Sequence, residues 1–150
     1  MSAKPENNFI LSVNKLLPIK KTKSSAKARE QYPIGEHIHY EKMNNGYRGG
    51  TWDGWYSGPG GDIWIEYKFL PRIPQRASVK PFELLSSLQL DWGKERLNEG
   101  RNIAVIIGCP TGGVLLRERE WEEELSAQRF QSLIFSRIDL AAWILEQTTR

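Results

Sequence analysis

GDIWIEYKF, residues 61–69, decides how the rest of the chain is read. Ile63, Ile65, Tyr67 and Phe69 fall on alternate positions. Side chains alternate faces along a β-strand, so these four share one apolar face that points at a core. The other face carries Asp62, Trp64, Glu66 and Lys68. A carboxylate and an ammonium two residues apart on one side of an apolar strand require an explanation.

The residues just before the strand supply one. SGPGG (57–61) is turn chemistry, and TWDGWY (51–56) reads as a second short strand, so 51–69 is predicted as a β-hairpin. Folding about SGPGG brings Asp53 beside Glu66. Two carboxylates that close repel each other, and a hard divalent cation relieves the repulsion. Lys68, on the same face, is placed to stabilise an oxyanion or orient a water. That grouping suits phosphodiester hydrolysis. An acid-x-Lys triplet alone is weak, since one arises by chance about once in a chain of this length. As a solvent-facing pair it would contribute under ~1 kcal/mol. What lifts it is the apolar strand around it and the acid on the preceding strand. Asp62 competes for the role of Asp53, but it lies four residues before Glu66 on the same strand, ~13 Å away at strand rise, too far to share a cation.

Further out, Asn8–Leu17 (NFILSVNKLL) has Ile10, Val13, Leu16 and Leu17 at helical spacing. Pro18 ends it, and Pro5, Glu6 and Asn7 stand at its start. Residues 19–34 read as a basic linker, and His37–Met43 as a strand. Asn44, Asn45, Gly46, Gly49 and Gly50 give turn chemistry. Residues 70–80 are a loop. Pro81 opens a helix that Gly100 ends, with Leu85, Leu88 and Trp92 as its buried stripe. Gln89 shares that stripe, which a glutamine without a polar partner would avoid. Asn102–Gly108 (NIAVIIG) is a buried strand by its continuous apolar run, Cys109–Gly113 turns, and Val114–Leu116 returns. Glu120–Phe130 and Ser136–Gln147 read as helices, the last with Ile138, Ala141, Ala142 and Leu145 as its apolar face. This order predicts an α/β fold: a mixed sheet flanked by helices, in a single domain over 1–150.

Composition fits one domain and excludes several classes. The 150 residues are 39% hydrophobic and 26% charged, ordinary for a globular chain. No apolar run is long enough to span a bilayer, and no secretory leader is recognisable at the N-terminus, so a cytoplasmic location is expected. One cysteine and two histidines are too few for a structural zinc site. The net charge of +3 is uneven. Residues 1–48 hold nine Lys or Arg against four Glu, and 117–150 hold five Arg against seven acids. Lys15, Lys20, Lys21, Lys23, Lys27 and Arg29 cluster with Glu30 as the only acid among them. Such a run attracts phosphate backbones, although a solvated loop has the same composition.

WDGWYSGPGGDIWIEYK (52–68) resembles the signature of the PD-(D/E)xK nucleases, an Asp followed by Glu-x-Lys on the next strand. LLSSLQLDWGKERLNEGRNIAVIIG (84–108) is similar to the segment after that motif in the virus-type replication-repair nuclease (VRR-NUC) domain: a Gln, a following aromatic, a helix ended near Gly, then an apolar strand. The match covers about residues 36–108, with the basic linker (19–34) before it and a helical part (117–150) after it. Trp52 stands where the family has a Pro before the Asp.

The resemblance implies a restriction-endonuclease-like fold and a metal-dependent endodeoxyribonuclease. It implies Asp53, Glu66 and the backbone carbonyl of Tyr67 as ligands of Mg²⁺ or Mn²⁺, Lys68 as the catalytic lysine, and Gln89 as a residue positioning the metal, lysine or water. A further acid on the first helix is best matched by Glu6, with Glu30, Glu36 and Glu41 as rivals. Small stand-alone members resemble phage-type enzymes that cut branched DNA, which implies a Holliday junction resolvase acting as a homodimer in a host cytoplasm. A restriction- or repair-type nuclease on duplex, nicked or flapped DNA would use the same site. A non-catalytic nucleic-acid-binding protein, with Glu66 and Lys68 as a structural pair, is the other class. Candidate DNA contacts are Lys20, Lys21, Lys23, Lys27 and Arg29 in the linker, and Arg72, Arg76 and Lys80 in the Pro-rich loop after the strand. His37-x-His39 reads as two ordinary, partly exposed histidines. Trp52, Trp55 and Tyr56 flank Asp53 and read as hairpin packing, with stacking on an opened base or wedging a junction as the sharper alternative. Trp121 with Glu122–Glu124 reads as a surface helix.

Overall fold

The computed structural model describes residues 3–19, 37–43 and 49–150. The basic linker, with Lys20, Lys21, Lys23, Lys27, Arg29, Glu30 and Glu36, and the turn residues Asn44, Asn45 and Gly46 lie outside the described residues.

GDIWIEYKF forms the nine-residue strand β3 (Gly61–Phe69) near the middle of a six-stranded mixed sheet in the order β1-β2-β3-β4-β5-β6. β1 (His39–Lys42), β2 (Gly54–Gly58) and β3 form an antiparallel meander. β3 then pairs parallel with β4 (Ile103–Cys109), which continues antiparallel into β5 (Gly112–Arg117) and the two-residue β6 (Ile134–Phe135). A parallel pair needs a crossover on one face. Here it contains α2 (Pro81–Leu84) and α3 (Ser87–Asn98). α1 (Ala3–Asn14) and the C-terminal helix α5 (Arg137–Thr149) pack on each other and on β3, while the short α4 (Ala127–Ser132) precedes β6. The described residues therefore form one α/β domain, a mixed sheet with helices around it.

The sheet divides two cores. Ile63, Ile65, Tyr67, Ala104 and Ile106 meet Phe9, Ile10, Val13, Leu140 and Ile144 on the α1/α5 face. On the other, Val105, Ile107, Val114 and Leu116 meet Trp52, Leu85, Trp121 and Phe130. All seven residues of β4 are buried, which is why that strand reads as an unbroken apolar run.

Several expected elements differ. α1 starts at Ala3 rather than Asn8, because Pro5 needs no hydrogen-bond acceptor in a first turn; this brings Glu6 inside the helix. β2 starts at Gly54, so Asp53 precedes the strand. The helix expected over 81–100 is broken at Leu85, where a second helix start intervenes, and Leu88 is 58% exposed rather than part of the buried stripe. The helix expected over 120–130 is instead a 3-10 turn at Glu120–Glu122, an extended stretch, then α4. The antiparallel bridge Val79↔Leu125, with N–H···O distances of 2.7 and 2.8 Å, holds that stretch extended. Trp121 is buried rather than on a surface helix. In α5 the buried residues are Leu140, Ala141, Ile144 and Thr148, whereas Ile138 is 68% exposed.

Candidate active site

Glu66 is the centre of the site. It is one of the two buried polar side chains among the described residues, and only 1% exposed. Its position on β3 dictates this: Tyr67 beside it must enter the α1/α5 core, and Glu66 is thereby turned into the opposite face beneath α3. A buried carboxylate needs partners for both oxygens. Oε1 accepts from the backbone N–H of Asp53 at 3.1 Å. Oε2 accepts from Gln89 Nε2 at 3.1 Å and lies 3.1 Å from Lys68 Nζ, whose side chain is 21% exposed. The four residues expected to act together, Asp53, Glu66, Lys68 and Gln89, are thus in one constellation.

Gln89 is fixed at both ends of its amide. α3 opens on a capping box: Ser86 Oγ accepts from Gln89 N at 3.1 Å, and Gln89 Oε1 accepts from Ser86 N at 3.0 Å. The amide oxygen is occupied by the cap, so its nitrogen is the atom offered to Glu66. The same cap breaks the expected long helix. The pattern Ser86-x-x-Gln89 was its sequence signal.

Trp52 ties α3 to Asp53. It is fully buried, its ring 5.6 Å from Trp92 and 5.3 Å from Trp121, and its Nε1 donates to the carbonyl of Gln89 at 2.9 Å. A Cβ at Gly93 would collide with the indole, so that glycine lets the helix approach this closely. The residue immediately before Asp53 and the residue contacting Glu66 are thereby locked to each other. Trp52 and Tyr56 are both fully buried and cannot stack on a base; Trp55 is partly exposed, packed against Trp64 at 6.0 Å and His39 at 5.5 Å.

The electrostatics follow from burial. Desolvation, then the charge of Asp53, pushes the Glu66 carboxyl up to about 8, against the pull of Lys68. Burial also raises Asp53, opposed by Lys68 and by hydrogen bonding from Glu66 and the Tyr67 backbone. Glu6 is raised by burial and then by Asp53, and lowered by Lys68 and Lys42. The first-helix acid is therefore within electrostatic reach of Asp53 and Lys68. Lys42 and Tyr40, whose phenol is raised by burial and partly by Asp53, are neighbours that no motif pointed to.

The donor set fits a hard divalent cation in its chemistry. Asp53 and Glu66 offer carboxylate oxygens, Glu66 is held against its own ionisation, and a cation would relieve both. In a strand the N–H and C=O of one residue point to the same side, so the Tyr67 carbonyl shares the edge on which its amide meets Asp53. Among the described residues no three of His, Cys, Asp and Glu are clustered closely enough to hold a metal ion. What the site offers is the Asp53–Glu66 pair with Glu6 further off.

The remaining candidates are elsewhere. Asp62 is exposed and accepts from Trp55 Nε1 at 3.0 Å. Arg72, Arg76 and Lys80 are exposed in the loop after β3, Lys80 Nζ lying 3.9 Å from Glu83. Glu41 is exposed on β1. The described residues before and after the basic linker end at Ile19 and resume at His37, and Ile19 and Ile38 bridge each other. No described helix is long and apolar enough to cross a membrane.

No family model matches the sequence, and no curated protein matches it. Among solved structures the chain is similar to Hjc, a Holliday junction resolvase from the archaeal hyperthermophile Archaeoglobus fulgidus, with 10% sequence identity, a TM-score of 0.46, and coverage of 71% of this chain and 88% of that one.

Proposed function

We propose that the protein is a metal-dependent endonuclease that hydrolyses DNA phosphodiester bonds at Asp53, Glu66, Lys68 and Gln89. The observation that carries this reading is Glu66 itself. A carboxylate 1% exposed, with a second carboxylate raising its pKa, is an unfavourable arrangement for folding alone. A divalent cation held by the two acids would make it favourable. Mg²⁺ or Mn²⁺ held by Asp53, Glu66 and the Tyr67 carbonyl would supply Lewis acidity toward the phosphate and lower the pKa of a bound water.

The chain's own residues have separate tasks. Lys68 is partly exposed at 3.1 Å from Glu66, so it is held in place yet can reach the developing negative charge on phosphorus oxygens. Gln89 keeps the Oε2 side of Glu66 fixed through its nitrogen. Glu6 adds negative charge within electrostatic reach of Asp53 and Lys68. The finer reading is a Holliday junction resolvase. It is supported by the resemblance of about residues 36–108 to the VRR-NUC group and its phage-type members, and by the fit between two copies of one site in a homodimer and a two-fold symmetric junction.

The test is a labelled four-way junction and a linear duplex of the same sequence, each with Mg²⁺ or with EDTA, alongside Lys68→Ala and Asp53→Asn. Paired symmetric cuts in the junction alone, lost with EDTA and in both variants, are the expected result. Equal cutting of both substrates would leave a nuclease without junction specificity. Metal-independent binding with no cutting would leave a nucleic-acid-binding protein.

A further inference from the structure

Lys42 is held in place from two sides, through its backbone and through its side chain. It is exposed on the edge strand β1, opposite Gly54, the residue after Asp53. The next backbone amide, that of Met43, donates to the Asp53 carbonyl at 2.6 Å, so the chain at Lys42 is fastened to the chain at Asp53. Its Nζ donates to Asn7 Oδ1 at 3.1 Å, and Asn7 follows Glu6 on α1. The ammonium thus bridges β1 to the helix that carries the third acid of the site.

Asn7 orients the lysine without neutralising it. Lys42 is in no ion pair among the described residues, whereas Lys68 is already 3.1 Å from Glu66. Its charge acts on both Glu6 and Asp53. A polyanion approaching Glu6 and Asp53 meets repulsion, and a cation held beside them by a neutral amide offsets it. Resting on the nuclease reading above, we infer that Lys42, positioned by Asn7, forms a phosphate subsite that holds a backbone phosphate of the nucleic acid next to the one being cut. A lysine ammonium is a point-charge phosphate ligand of the kind this requires. A lysine on an edge strand also discourages sheet-to-sheet pairing between molecules, and that simpler role makes different predictions.

The experiment measures the affinity of wild type, Lys42→Gln, Lys42→Arg and Asn7→Ala for labelled junction and duplex across a salt series, with Ca²⁺ in place of Mg²⁺, and then the cleavage kinetics with Mg²⁺. If Lys42 holds a phosphate, Lys42→Gln weakens binding on every sequence and makes the slope of log K against log salt shallower by about one. Lys42→Arg restores the slope, Asn7→Ala weakens binding with the slope kept, and Lys42→Gln raises KM more than it lowers kcat. If wild type cuts DNA while Lys42→Gln changes neither slope nor KM, and only self-association increases, the subsite is overturned and the nuclease reading stands. If wild type cuts no DNA with Mg²⁺ or Mn²⁺, the nuclease reading falls and the subsite falls with it.

Discussion

Asp62 and Glu66 lie four residues apart on the same face of β3, and the fold treats them in opposite ways. Asp62, at the outer end, is exposed and accepts one hydrogen bond from Trp55. Glu66, at the inner end, is 1% exposed, with Asp53, Gln89 and Lys68 on its two oxygens and its pKa raised to about 8. The strand supplies the same alternation to both. The difference comes from what covers the face: the start of α3 lies over Glu66 and brings Gln89, and the approach to β2 brings Asp53. A carboxylate in water costs nothing to keep. One enclosed beside a second carboxylate strains the fold, and such groups concentrate at functional sites.

The largest effect expected from breaking this comparison is on cleavage. Glu66→Gln preserves shape and removes charge, and it should lower kcat by about 10²–10³-fold or more, the scale for loss of a principal electrostatic group. Asp62→Asn is the same chemical change at the other end of the strand, and it should alter single-turnover cleavage of a labelled junction by less than about twofold, a small effect on this scale. Equal losses would mean that the outer end of β3 also reaches substrate and that burial does not separate the two acids.

The same Glu66→Gln variant should lose the pH dependence of stability that Glu66 confers. The folded protein holds a proton on Glu66 up to pH about 8, whereas the unfolded chain releases it near the ordinary carboxylate value of 4.5. The folded state therefore binds the extra proton in this window, and stability falls as pH rises from about 4.5 to about 8. A tenfold change in proton affinity is worth about 1.4 kcal/mol, so the window spans on the order of a few kcal/mol, reduced in the variant by the lost charge on the partner of Lys68. Glu66→Gln starts with a penalty, because its amide nitrogen must face a donor that Glu66 accepts from, but its Tm relative to wild type should rise by several degrees from pH 5 to pH 8, at about 2–4 °C per kcal/mol for a chain of this size. Mg²⁺ should raise the wild-type Tm at pH 8 and leave the variant's almost unmoved. A variant whose deficit against wild type grows from pH 5 to pH 8 would make Glu66–Lys68 a structural ion pair.

The two ends of β3 also show what could be read without coordinates. The alternation of GDIWIEYKF and the unbroken run in β4 were legible because these strands sit in the sheet's interior, where burial alone dictates residue type. That Asp53, Glu66 and Lys68 meet was legible through strand spacing, whereas Gln89 was legible as an inward-facing glutamine and joined them only through the family resemblance. Features set by docking were not. The exposure of Ile138 and burial of Leu140 and Ile144 depend on how α5 rests on α1 and β3, which shifts the buried face by about one residue. The loss of the 120–130 helix depends on Val79, more than forty residues away in sequence. Trp52 looked like a departure from a motif, and only its contact with Gln89 explains why an indole serves there. Lys42 had no signal at all, because its neighbours Asn7 and Asp53 come from different parts of the chain.

The smallest effect is the one that separates holding Glu66 from building the helix above it. Ser86 and Gln89 share the capping box, but only Gln89 touches Glu66. Ser86→Ala removes the Oγ acceptor and leaves the Ser86 N–H, which still holds Gln89 Oε1 at 3.0 Å. It should cost about 1 kcal/mol of stability, the usual value of an N-cap, and lower the Tm by a few degrees. Cleavage at 25 °C should be nearly preserved, because the amide nitrogen still faces Oε2. Gln89→Ala loses the reciprocal half of the same box, so its melting temperature should fall by a similar amount. It also leaves Glu66 Oε2 with Lys68 alone, and kcat should fall about tenfold or more, as when one hydrogen bond to a buried charged group is lost. Melting curves and single-turnover rates on the two variants therefore separate two accounts that agree on stability. Equal losses of activity would mean that Gln89 acts by starting α3 in the right place, and a loss confined to Gln89→Ala would assign its effect to the carboxylate it holds.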